Sequence, residues 1–174
     1  IDPGYVYNGV LAGLVSITSP CAVVSPFGAI VVGLIGSLVY VGASKGVKAA
    51  GIDDAVDAFA VHGACGAWGV IACGLFATPF YYSVSYYGDR KDDCAGLFYG
   101  GKASGSFAAA FACVFVILAW VGSTMGALFG TLKATGLLRV SQEIEDAGLD
   151  DSKHGGAMSE VVAASVDGVK ATEA

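Results

Sequence analysis

Long stretches of this chain carry no Asp, Glu, Lys or Arg at all, residues 3 to 44 and residues 103 to 132 among them. A run of about 20 apolar residues is enough to cross the hydrocarbon core of a bilayer as a helix. An ordinary soluble domain holds about 25% charged residues. Here only 14% are charged while 55% are hydrophobic, and the mean hydropathy is +0.69. The chain therefore reads as an integral membrane protein, all-α, a polytopic bundle of about four transmembrane helices.

The pattern predicts helices over about 7–18, 23–44, 54–76 and 103–132. The first is short for a span and is closed by "TSP" at residues 18 to 20, because proline does not continue a helix. The last is longer than the hydrocarbon requires, so it should tilt or protrude. These segments are apolar all round, so small residues, not periodicity, mark their packing faces. Gly63, Gly66 and Gly69 stand with Ala60, Ala64 and Ala67 in the third helix, and Gly122, Gly126 and Gly130 recur every four residues in the fourth. In lipid, small residues let helix backbones approach closely, so both helices are expected to pack into a bundle. Residues 1–136 form the transmembrane domain on this reading, and 137–174 a polar tail.

The net charge of −6 gathers towards the end, where Glu143, Glu145, Asp146, Asp150 and Asp151 form the densest acidic cluster. That cluster belongs to a solvated tail. No basic patch points to nucleic acid. The chain opens on Ile-Asp-Pro-Gly, which is no signal peptide; it is expected to be a piece of a larger membrane protein. Lys45 and Lys48 lie on the same side as Lys133 and Arg139, against Arg90, Lys91 and Lys102 on the other. The basic bias places the tail in the cytoplasm.

The five cysteines show no metal-ligand spacing, and no metal or cofactor is expected. Cys21, Cys65, Cys73 and Cys113 sit in apolar segments, where a thiol behaves as a small hydrophobe. Cys94 lies in a polar loop, as a free thiol or an intermolecular link.

Asp53, Asp54 and Asp57 cluster where the third helix should begin, and the helix dipole favours acids there. His62 comes about two turns in, on a face shared with Ala58, Gly66 and Gly69. Ionisable residues within spans are costly and normally face a bundle interior or cavity. Desolvation favours the uncharged form of an imidazole, which carries one donor and one acceptor and can hold a small polar molecule in an apolar passage. The bland alternative is a packing histidine bonded to a neighbouring carbonyl. A lone membrane histidine can also ligate haem, but His154, in the polar tail, is the only other one.

The segments "NGVLAGLVSIT" (8–18), "DDAVDAFAVHGACGAWG" (53–69), "LFYGG" (97–101), "WVGSTMGALFGTLK" (120–133) and "LLRVSQEIEDAGLDDSKHGG" (137–156) stand in one order. In that order they resemble the ammonium transporters of the Amt/Mep/Rh family, most of all the plant and algal type. The resemblance implies an eleven-helix subunit in a homotrimer, each subunit with its own pore, of which this chain is the last four helices and the cytosolic tail. It implies that His62 is the second of two pore histidines, with Ala58 beside it on the conducting face. It makes Asp53, Asp54 and Asp57 a helix cap and tail-docking region, and gives Gly148 and Ser152 places in a regulatory tail. Ser152 falls where plant-type members carry a phosphorylatable threonine. A phosphate beside Asp150 and Asp151 would repel and undock the tail.

The implied substrate is ammonium or ammonia, the setting a lipid bilayer and in particular the plasma membrane, and the implied regulators a kinase or a PII-type protein. The protein is not expected to be an enzyme. A sensor of the same fold, or an Rh-like gas channel, is the alternative, and uptake assays separate them. Two departures stand out: Ala55 replaces a proline frequent after the paired aspartates, and residues 161 to 174 match nothing in the family and are expected to be disordered.

Overall fold

A computed structural model describes residues 3–86 and 93–148. Pro3–Thr18 forms α1. Its end falls where expected, and the Thr18 hydroxyl donates to the Val15 carbonyl while Pro20 accepts the amides of Val23 and Val24 in the next turn. The second helix, α2, runs Pro26–Ala49. Ser25 caps it by accepting the Gly28 amide at 3.1 Å, and Pro26 takes the first turn, where a missing N–H costs nothing. This helix starts later than the apolar run and continues past Lys45 through Lys48. Charge does not terminate it, because a cation suits the C-terminal end of a helix dipole.

The third helix departs most from expectation. It begins near Ala58, four residues after the anticipated start. A π-helical segment, Phe59–Ala64, runs directly into α3, Cys65–Phe76. The delay has a local cause. Asp57 adopts φ +56°, a left-handed conformation that a right-handed helix cannot pass through.

After α3, Ala77 forms an antiparallel bridge with Val24, and the Thr78 amide donates to the Val23 carbonyl at 2.8 Å. Thr78 then caps the short α4, Pro79–Ser85. A 3-10 turn, Leu97–Tyr99, precedes a second π segment, Ala103–Phe107, which Gly105 breaks with φ −92° and ψ −124°. The long α5, Ala108–Ala134, and the short α6, Gln142–Ala147, complete the described order.

Two compact units divide inside α5, Ile1–Trp120 and Val121–Ala174. In the first, α1, α2 and the histidine helix pack mutually around Ala12, Tyr40, Ala60, Val61 and Cys65. One face of α2 carries this packing: Gly28, Val32, Gly36, Tyr40 and Ser44, spaced by four, are all buried. Small residues make the contact possible. A Cβ on Gly69 would stand 2.6 Å from the Ser16 carbonyl oxygen, and one on Gly36 would overlap the Ser16 side chain.

Among the described residues, three helical stretches are long and apolar enough to cross a membrane: Pro26–Ala49, Phe59–Phe76 and Gly105–Ala134. The α1 helix, at 16 residues, falls short of that length. Gly122, Gly126 and Gly130 have nothing within 4 Å of their Cβ positions, and all three are exposed.

Candidate functional site

Across the span Phe59–Phe76 the sequence offers one residue of the Asp, Glu, Lys, Arg and His group, and it is His62. The structure places it inside the π segment, about one turn from the helix start instead of two, with its side chain exposed. Ala58 is exposed as well. Phe59, also exposed, lays its ring against Gly63: a Cβ there would be 2.9 Å from the ring edge. The expected strip of small residues does not continue beneath the imidazole. Gly69 is buried and turned onto α1, and a Cβ on Gly66 would meet Val15 of α1 at 3.9 Å. The π turn explains the split. A wider turn holds an extra residue, which rotates the later positions by about 100° relative to an unbroken α-helix.

The three aspartates separate into three different roles. Asp54 accepts the Ala58 amide at 2.8 Å through one carboxylate oxygen and the Phe59 amide at 2.9 Å through the other. It thus closes two donors that the helix start leaves open. Asp53 is exposed. Asp57 is buried, and its carboxylate points away from the helix amides towards α2. There the Tyr40 hydroxyl donates to one oxygen at 2.9 Å, the Ser44 hydroxyl to the other at 2.8 Å, and the Lys48 ammonium stands 3.5 Å away. Lys48 also lies over the Tyr5 ring, 5.2 Å from its centroid.

Burial pushes the Asp57 carboxyl pKa upward, but the Ser44 and Tyr40 hydrogen bonds and the Lys48 charge together outweigh it and hold it below the usual carboxylate range. No buried side-chain polar atom among the described residues lacks a hydrogen-bond partner.

Sequence reasoning missed Tyr40 and Ser44 and used Lys48 only as a cation marking the membrane side. Their signal was available: three polar groups spaced by four within an otherwise greasy helix. None of the five cysteines is bridged to another within the chain, and Cys94 hydrogen-bonds with Tyr82, whose pKa is pushed up to about 12 by that bond, by burial and by the neighbouring Cys94, Tyr86 and Cys73. In the second unit, Gly148 ends α6 with φ +84° and donates its amide to the Glu145 carbonyl at 3.3 Å. Arg139 pairs with Glu145. Ser152 and the segment 161 to 174 lie outside the described residues.

Apolar spans, a lone exposed histidine in one of them and a polar clamp at its foot define a multi-pass helical membrane protein. A family model described as the Ammonium Transporter Family matches residues 1–159. The chain belongs to that family, one of transporters rather than of enzymes. It is 46% identical over 151 residues to "Ammonium transporter 1 member 2" of Arabidopsis thaliana, covering 87% of this chain and 29% of that protein. It is 42% identical to "Ammonium transporter 1 member 1" of Arabidopsis thaliana and 41% identical to "Ammonium transporter 1 member 1" of Oryza sativa subsp. japonica, covering 87% of this chain and 30% of each. The chain therefore spans about 30% of the length of these relatives.

Proposed function

We propose that this chain is the C-terminal part of an ammonium transporter, and that His62 and Ala58 line its conduit. The supporting observation is the placement of His62 on an exposed face of an apolar span, at a π turn, in a chain of this family. An ammonium ion entering a medium of low dielectric faces an idealised cost of roughly tens of kcal/mol. Ammonia faces far less. A passage that is apolar apart from imidazoles favours loss of the proton at the entrance and carriage of the neutral molecule. A donor and an acceptor on each ring guide it. A second imidazole facing His62, contributed by chain that precedes residue 1 in the full transporter, would complete the pair.

Lys45 and Lys48 near the end of α2, with Lys133 in the last turn of α5 and Arg139 beyond it, support a cytoplasmic tail by the positive-inside bias, and the plasma membrane is the proposed location. The assembly is proposed to be a homotrimer, with the tail docking beside Asp53 and Asp54, the exposed and half-buried members of the aspartate group, while Asp57 lies buried against α2. Phosphorylation of Ser152 would add nearly two negative charges beside Asp150 and Asp151, undock the tail and stop transport.

The deciding experiment substitutes His62→Ala in the full-length transporter and measures ammonium and methylammonium uptake in transporter-deficient cells. Uptake should fall sharply, or the preference between the two substrates should change. Wild-type uptake of both would remove His62 from the conduit. A Ser152→Asp protein should transport poorly at normal surface abundance, and wild-type uptake by it would end the phosphoswitch reading.

A further inference from the structure

The conduction reading uses His62 and leaves the buried Asp57 cluster without a task. Helix capping does not account for it, because Asp54 already accepts the two leading amides with both carboxylate oxygens. The bonds and ion pair found for the Asp57 side chain run instead to α2, to Tyr40, Ser44 and Lys48. Its backbone meanwhile reaches the histidine segment: the Asp57 carbonyl accepts the Val61 amide at 2.9 Å, one residue before His62.

A second set of anchors lies further along the same helix. The Cys65 thiol donates to the Gly36 carbonyl at 3.4 Å, and the Trp68 indole donates to the Val32 carbonyl at 3.0 Å. The partners line one buried face of α2 in order: Ser44 and Tyr40 for Asp57, Gly36 for Cys65, Val32 for Trp68. Between the first anchor and the second lie residues 58 to 64, and that interval contains the π segment Phe59–Ala64. Both ends of the interval are tied to a common rigid partner. The extra residue of the wide turn is thereby trapped, with no route out through either end.

We propose that Asp57, held by Tyr40 and Ser44, is a positioning residue: it traps the π turn and so sets the direction in which His62 points. The functional part rests on the reading of His62 as a conduit residue. Releasing Asp57 from α2 lets the turn relax to α-helical winding and swings position 62, which lies inside the wide segment, through part of the about 100° that one extra residue represents. Geometry matters more here than charge, since the Lys48 side chain is 56% exposed and such a pair contributes little. Asparagine tolerates the left-handed backbone and retains an acceptor oxygen for a hydroxyl; alanine offers neither.

The test uses the full-length transporter. First, His62→Cys reports the direction of position 62 through its rate of modification by a water-soluble thiol reagent. This readout is independent of transport. Adding Asp57→Ala, or Tyr40→Phe with Ser44→Ala, should change that rate about tenfold, whereas adding Asp57→Asn should leave it within about twofold. An unchanged rate with Asp57→Ala overturns the proposal, as does an Asp57→Asn protein that behaves like Asp57→Ala.

Second, with His62 present, Asp57→Ala should lower the maximal uptake rate per surface transporter about tenfold and alter the ammonium to methylammonium ratio as His62→Ala does. The double variant should be no worse than His62→Ala alone. Reduced surface abundance with a normal rate and ratio per transporter would make Asp57 merely structural and overturn the proposal. If His62→Ala itself transports normally, the conduit reading falls, while the modification rate still decides whether Asp57 positions residue 62.

Discussion

The histidine helix and α5 carry the same kind of sequence, apolar with recurrent glycine, yet they meet very different surroundings. Along the first, Gly69 lies so close to α1 that an added Cβ would stand 2.6 Å from the Ser16 carbonyl oxygen. Along the second, a Cβ added to Gly122, Gly126 or Gly130 would meet nothing within 4 Å. A third of the first span is buried, against 6% of the window in the second. Glycine in an apolar helix thus permits close approach without producing it. On the histidine helix a set of polar anchors produces it: Asp57 on Tyr40 and Ser44, Cys65 on Gly36, Trp68 on Val32.

Gly69→Ala should break the packed side of this comparison most severely. The Cβ would collide with backbone, which cannot swing away as a side chain does, so a loss of about 1–3 kcal/mol is expected. Thermal unfolding in detergent measures it, and an unchanged midpoint would mean that the α1 contact is not as tight as described.

Acid should loosen the same side by a smaller amount. Asp57 has a folded-state pKa held below the ordinary carboxylate value, so its contribution is complete above the unfolded value of about 3.9. It fades as pH falls through the lower folded value. Melting curves of wild type and Asp57→Asn should therefore differ at neutral pH and converge only in strong acid. Convergence already at pH 5 to 6 would contradict the sign of the shift.

The smallest effect belongs to α5. Gly126→Ala meets open space, and alanine favours a helix interior over glycine by about 0.8–1 kcal/mol. The midpoint should hold or rise slightly. A fall would show that another surface seats on these glycines, and the contrast between the two helices would narrow.

Much of the architecture was legible in the sequence. The uncharged runs located the helical spans, "TSP" located the end of α1, and the motif around His62 pointed to the family that the comparison establishes. The largest departure lies in the histidine helix. The third helix was expected to begin at residue 54 and to carry Ala58, His62, Gly66 and Gly69 on one face. Instead it begins near Ala58, winds first as a π turn and splits that face. Asp57 reads in sequence as one more acid at a helix start. Only its left-handed backbone and its partners 13 and 17 residues away separate it from Asp54.

Composition and local chemistry were sufficient to determine a membrane protein of apolar helices with one imidazole in a span. Those properties belong to contiguous segments: the absence of charge, a proline that stops a turn, a serine that caps one. The tertiary structure alone decided where the histidine helix starts, how its first turn is wound and which glycines are pressed against a neighbour. Each of these depends on groups distant in sequence: Asp57 on Tyr40 and Ser44, Cys65 on Gly36, Trp68 on Val32 and Gly69 on Ser16, partners that no contiguous segment displays.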